Sequence, residues 1–151
     1  IVNLEEGNAE IAAEIISTIT GADIFEIEAD KKYPIKYDDC IEIAKKELRE
    51  NSRPKLKDDI DIKEYGTIFL GYPNWWGTMP MPVWTFLEEK DFTNKKVLPF
   101  CTHEGSGLGK SQSDIKKLTG GAEVLKGLAI NGSEVSNSEK QIKKWLEDSL
   151  I

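Results

Sequence analysis

The sequence predicts an α/β domain built on a parallel sheet with helices on both faces. Three observations carry this. The chain has 151 residues, the usual size of one domain with one core. Stretches with helical apolar spacing alternate along it with short β-like stretches. Two of the latter, Gly66–Gly71 and Lys96–Cys101, have apolar runs at their centres, as strands buried on both faces do. No internal repeat, low-complexity tract or linker divides residues 1–151, so they are expected to form one domain.

Taken in order, residues 8–20 read as a helix with Ile11, Ile15 and Ile19 as its apolar stripe. Asn8 is a candidate N-cap, Glu10 suits the first turn, and Gly21 ends the helix. Residues 23–27 read as a short strand, and 28–36 as a polar loop holding Pro34. A second helix is expected over Tyr37–Glu50, with Cys40, Ile43, Ala44 and Leu48 inward. Asn51–Lys63 is a charged connection to the strand at 66–71. Pro80 and Pro82 suit the first turn of a third helix, whose apolar face is Val83, Phe86 and Leu87. The strand at 96–101 leads through a glycine-rich loop to a helix over 110–119. Gly120-Gly121 breaks the chain before a last strand within 122–130. Two capping-box patterns, Ser136-x-x-Glu139 and Ser138-x-x-Gln141, open a final helix with Ile142, Trp145, Leu146 and Leu150 inward.

Composition narrows the function classes. Hydrophobic residues are 39% and charged residues 31%, an ordinary globular mixture. No apolar run approaches the roughly 20 residues that span a bilayer. The net charge of −7 repels nucleic acid and anionic membranes and suits a basic partner. Cys40 and Cys101 form no C-x-x-C pattern and read as two thiols in a reducing cytoplasm. A single histidine, His103, excludes a His-rich metal site.

Ligands of parallel sheets sit beyond the carboxyl ends of the strands, which directs attention to three loops. The first, Tyr72-Pro73-Asn74-Trp75-Trp76-Gly77, holds two adjacent tryptophans. They either pack inward against the third helix or offer a flat platform to an aromatic ligand. The second runs from Thr102 to Gly109 and carries glycines at 105, 107 and 109. It is either a flexible turn or a loop whose amides approach a heterocycle. His103 is either a surface residue or a ligand contact, and Cys101 reads as a small buried residue rather than a nucleophile. The third, Gly7-Asn8 before the first helix, is either an ordinary cap or an anion site, with Glu5 and Glu6 as repelling neighbours.

Together these loops resemble the flavodoxin family, in particular its bacterial flavodoxin-like branch. The resembling pieces are Gly7-Asn8-Ala9-Glu10, Tyr72 to Gly77 and Thr102-His103-Glu104-Gly105-Ser106-Gly107, with Gly21 to Ile27 and Tyr33-Pro34 in support. The resemblance implies a flavodoxin-like three-layer α/β/α sandwich, a five-stranded parallel sheet of order 2-1-3-4-5, and FMN as cofactor. It implies that Gly7, Asn8 and Ala9 close a phosphate loop. Pro73, Asn74, Trp75, Trp76 and Gly77 would flank the isoalloxazine, with Trp75 or Trp76 stacked on it. Thr102, His103, Glu104, Gly105, Ser106 and Gly107 would line its other side and pyrimidine edge.

Two departures stand out. Ala9 occupies a position where threonine is common in the family, and no apolar run long enough to read as a strand precedes Gly7. The chain opens on Ile1 rather than Met, so the expectation is that strand 1 is missing, lying upstream of this sequence.

The resemblance favours a cytoplasmic electron carrier with a redox protein partner or small acceptor, in which no side chain acts as acid or base. The rivals are an FMN-dependent NAD(P)H reductase of a quinone or similar acceptor, and a flavin-free binding domain on the same fold. Other users of this architecture fit poorly. The strand at 66–71 leads into Tyr72 with no receiver aspartate, and the loop after Cys101 has no arginine for a tyrosine phosphatase. Ser106 sits in no G-x-S-x-G elbow.

Overall fold

Element order follows the predicted alternation. In the computed structural model, which describes residues 2–4, 7–31 and 37–150, the elements are β1 (Val2–Leu4), α1 (Gly7–Thr20), β2 (Phe25–Ile27), α2 (Tyr37–Glu50), β3 (Thr67–Pro73), α3 (Met81–Glu89), β4 (Lys96–His103), α4 (Ser111–Leu118), β5 (Glu123–Val124), β6 (Leu128–Asn131), a 3-10 helix (Gly132–Asn137) and α5 (Glu139–Leu150). Glu5, Glu6, Tyr33, Pro34 and the side chain of Leu150 lie outside the described residues.

The sheet order is β2-β1-β3-β4-β5, with β6 also paired to β4 and every pairing parallel. This is the expected order, with one correction. The central position expected to be empty is filled by Val2–Leu4, which pairs with Phe25–Ile27 on one side and Leu70–Gly71 on the other. Three residues are too few to show a β period in sequence, so the strand is visible only through its neighbours.

Alternation within the central strands divides the interior into two cores. Ile68, Leu70 and Tyr72 of β3 and Val97 and Cys101 of β4 join α3 and Ile115 of α4 on one side. Phe69, Leu98 and Phe100 face the other side, where they meet α1 and α5. Side chains of successive strand residues point to opposite faces, so one sequence run serves both layers.

The apolar face of α1 is not the isoleucine stripe. Ala9, Ala12, Ala13 and Ile16 are buried, whereas Ile11 and Ile15 are half-buried and Ile19 is exposed. The opposing surface is bulky. The Trp145 ring packs edge-on against Phe69 and Phe100, with centroids 6.1 and 6.4 Å apart. Small side chains on the helix complement large ones on the sheet, and hydropathy alone does not reveal that fit. A similar shift occurs in α2, where Ala44 is buried but Cys40 and Leu48 are half-buried and Ile43 is exposed.

Three connections differ from expectation. Residues 28–31 are not merely a loop, because Ala29 bridges Leu56 in antiparallel fashion. The last strand is split, since the Gly127 amide turns to donate to Gln112 Oε1 (3.1 Å) instead of continuing the ladder. The capping boxes before α5 do not form through the Ser138 hydroxyl, which donates to Val135 O (2.6 Å), while Gln141 donates to Ala129 O (3.2 Å).

Candidate functional site

β3 and β4 pair in register from Thr67↔Lys96 to Pro73↔Thr102, so the loops that follow them emerge side by side at the carboxyl edge. After β3 the chain makes a tight hairpin. Trp75 N–H donates to Thr78 O (2.9 Å) and Thr78 N–H to Trp75 O (3.3 Å). Its central residues, Trp76 and Gly77, have φ of 56° and 88°, the positive pair of a type I′ turn. Glycine meets that demand without cost, whereas tryptophan in a left-handed conformation is uncommon.

The hairpin separates the two indoles. Trp75 is half-buried and packs against the core to which α3 contributes. Trp76 is 51% exposed at the tip, with Lys45 Nζ of α2 5.3 Å from its ring centroid. Of the two candidate platforms, Trp76 is the more exposed.

Asn74 ties this hairpin to the glycine-rich loop. Its amide donates to Thr102 O (2.8 Å), its Nδ2 donates to Gly107 O (2.8 Å), and its Oδ1 accepts from Gly77 N–H (2.9 Å). Lys110 N–H donates to Gly77 O (2.7 Å). Gly109, with φ of 57°, lies so close that a Cβ there would overlap the Gly77 carbonyl. Behind the loops, Thr78 Oγ1 donates to Asp114 Oδ2 (2.5 Å), and buried Tyr72 donates through its hydroxyl to Ser111 Oγ (2.8 Å).

The remaining predicted residues divide between wall and support. Pro73 ends β3 half-buried, and Thr102 is buried, so its carbonyl rather than its hydroxyl serves the loops. His103 accepts at Nδ1 from Gly105 N–H (2.9 Å), which leaves the proton of a neutral imidazole on Nε2. Glu104, Gly105 and Ser106 are exposed. A Cβ on Gly77, Gly105 or Gly107 would meet nothing within 4 Å, so these backbones border open space.

At the start of α1, Gly7 is exposed and Asn8 lies inside the helix rather than capping it. The Ala9 side chain is fully buried, so only its amide can reach a ligand. A Cβ at Gly132, just past β6, would lie 2.6 Å from both Asn8 Nδ2 and Glu104 Oε1. Gly132 thus lets the helix start and the glycine-rich loop meet. Sequence reasoning missed Gly132, Lys45, Thr78 and Asp114. The one available signal was Gly132 itself, a glycine two residues past the predicted strand.

Burial pushes the Cys101 thiol up to about 12, and burial also raises the Tyr72 hydroxyl. Among the described residues, no group of three or more His, Cys, Asp or Glu could hold a metal, and no helix is long and apolar enough to cross a membrane. A cleft of about 660 Å³ lies elsewhere, between α2 and residues 29–31 and 52–55. Among the described residues its lining has no aromatic or glycine residue.

Comparison with known proteins bears on this arrangement. The sequence profile of the family described as Flavodoxin matches residues 5–149. A candidate flavoprotein from Bacteroides eggerthii is 26% identical, with a TM-score of 0.85 over 99% of this chain and 95% of its own. A second, from Bacteroides uniformis, is 28% identical, with a TM-score of 0.81 over 94% of each chain. A flavoprotein from Lactobacillus acidophilus, crystallised in complex with FMN, is 23% identical and shares the fold, with a TM-score of 0.67 over 90% of this chain and 95% of its own. No curated protein matches.

Proposed function

Because this chain belongs to the flavodoxin family, we propose that it binds FMN at the carboxyl edge of its sheet and serves as an electron carrier. The observation that carries this reading is Trp76, an indole held outward on a strained hairpin and fixed to a glycine-rich loop. Stacking on a planar heterocycle gives such a side chain a reason to face solvent. The Lactobacillus relative described as a complex with FMN supports the choice of ligand.

The residues present fit that group. Open space beside Gly77, Gly105 and Gly107 admits a ring system close to the backbone. The first-turn amides of α1, at Gly7, Asn8 and Ala9, have no intrahelical partner and lie at the positive end of the helix dipole, where they would hold a phosphate. With Nδ1 of His103 accepting from Gly105 N–H, its Nε2–H would donate to a polar edge. The fit is weakest at the phosphate, since Ala9 supplies no hydroxyl and the Glu104 carboxylate lies near Asn8.

When bound, FMN supplies the electron-transfer chemistry. The chain contributes the stacking surface, the amides and an acidic surround. Its net charge of −7 disfavours added negative charge on a reduced ligand and so lowers the potential, and it suits a redox protein partner with a basic surface. We read the chain as one cytoplasmic domain with no nucleic-acid or membrane partner. The single sheet with a core on each face supports the one-domain part of that reading.

Titration with FMN, followed by absorbance and quenching of flavin fluorescence, tests the proposal. Shifted flavin bands that survive desalting are expected, and Trp76→Ala is expected to weaken binding roughly tenfold or more. A spectrum identical to free FMN after desalting overturns it and leaves a flavin-free binding domain. Rapid NAD(P)H consumption with a small acceptor would identify a reductase instead.

A further inference from the structure

We propose that Asn74 is a positioning residue, whose side chain locks the Trp76 hairpin to the glycine-rich loop so that the two form one rigid wall. The ligand-binding part of this inference rests on the flavin reading above; the lock itself does not.

Asn74 uses both ends of its carboxamide and its backbone amide, and they point in different directions. Oδ1 takes the Gly77 amide and thereby closes the turn that holds Trp76 outward. Nδ2 reaches across to the Gly107 carbonyl, and the backbone N–H reaches the Thr102 carbonyl at the end of β4. A serine or threonine hydroxyl also donates and accepts, but from a single atom, whereas the carboxamide carries donor and acceptor on separate atoms that reach different groups. Aspartate keeps only the acceptor and would face the Gly107 carbonyl with an oxygen. The two loops then touch a second time, through Lys110 N–H to Gly77 O and the close approach of Gly109 to that carbonyl. Each polar atom of the side chain is thus committed to one of the two loops, with one N–H of Nδ2 and one lone pair of Oδ1 to spare. The proposed effect on binding passes through Trp76 and the glycine-rich backbone, which the double-mutant cycle below separates from a direct contact. Holding a binding wall in shape before the ligand arrives removes the ordering cost at the moment of binding.

The first test needs no ligand. Hydrogen exchange of the full chain is followed at the amides of Gly77 and Lys110, the second of which Asn74 does not touch. In Asn74→Asp the hairpin acceptor is retained and the bridge to Gly107 is cut. The expected result is that Lys110 loses protection by about tenfold or more while core amides of β3 and β4 keep theirs. In Asn74→Ala, Gly77 and Lys110 should lose protection together. An unchanged Lys110 amide in both variants overturns the lock.

The second test is a double-mutant cycle on FMN affinity. If Asn74 acts by positioning Trp76, Asn74→Ala weakens binding in the wild-type background and has much less effect when Trp76 is already alanine. Additive losses overturn that route. Failure of the wild-type chain to bind FMN sinks the flavin reading, and the exchange result still decides the lock.

Discussion

At the scale of single residues, the structure separates side chains that face the site from those that hold it up. Tyr72 and Ser111 belong to the second group. Ser111 Oγ donates to Leu108 O (2.6 Å) while accepting from the buried Tyr72 hydroxyl. The two truncations of this pair are therefore unequal. Tyr72→Phe removes one donor and leaves Ser111 bonded, a loss of about 1 kcal/mol. Ser111→Ala strands a buried phenol and should cost more, about 1–3 kcal/mol. Chemical denaturation of both variants checks the order, and equal losses would contradict it. The thiols differ in the same spirit. Cys101 is buried and its thiol pushed up to about 12, so an alkylating reagent at neutral pH should modify only half-buried Cys40 in the native protein and both in denaturant. Mass spectrometry counts the adducts. At this scale the sequence named the right loops but not the roles within them. That Trp76 faces out and Trp75 in depends on the left-handed turn at Trp76 and Gly77, and the cross-loop partners of Asn74, Thr102 and Gly107, lie some thirty residues away.

At the scale of elements, the strongly periodic pieces were legible and the closely packed ones were not. α2 spans Tyr37–Glu50 as its spacing predicts, and Val83, Phe86 and Leu87 of α3 are buried as expected. The face of α1 was misread because alanine carries little hydropathy signal and its burial is decided by Phe69, Phe100 and Trp145 opposite. The same crowding makes Gly71 obligatory, since a Cβ there would overlap the Phe100 ring. Gly71→Ala is expected to destabilise the fold by about 1–3 kcal/mol, as overpacking does, and a thermal melt measures it. Between α1 and β2, electrostatics run the other way. Burial raises the Glu26 carboxyl above its ordinary value, and the charges of Glu10, Glu28 and Glu14 add to the rise. A raised acid in the folded state means that the folded chain holds the proton more tightly. Stability is then greatest with Glu26 protonated and falls as pH climbs from its ordinary value through its raised one. Glu26→Gln should therefore raise the unfolding midpoint near neutral pH and leave it unchanged at pH about 3.5, where both side chains are neutral. A stabilisation of equal size at both pH values would rule out charge as the cause.

At the scale of the whole molecule, the order of the sheet was legible through family resemblance, but its central strand was not. Val2–Leu4 is the sole link among the described residues between β2 and the rest of the sheet. Removing residues 2–4 is expected to broaden or abolish the cooperative unfolding transition seen by circular dichroism, because it leaves backbone groups of β2 and β3 without partners. A sharp, unchanged transition would show that the sheet closes without them. The splitting of the last strand at Gly127 has a consequence of another kind. Among the described residues both rims of the sheet are short: three residues at β2, and pieces of two and four residues at β5 and β6. A neighbouring chain that tried to extend the sheet by adding a strand would find no long row of open amides and carbonyls to copy. Crowded solutions of the native protein, held well below the melting midpoint, should therefore stay dark to a fibril-binding dye, even though the interior of this protein contains β-prone sequence at Ile68–Leu70.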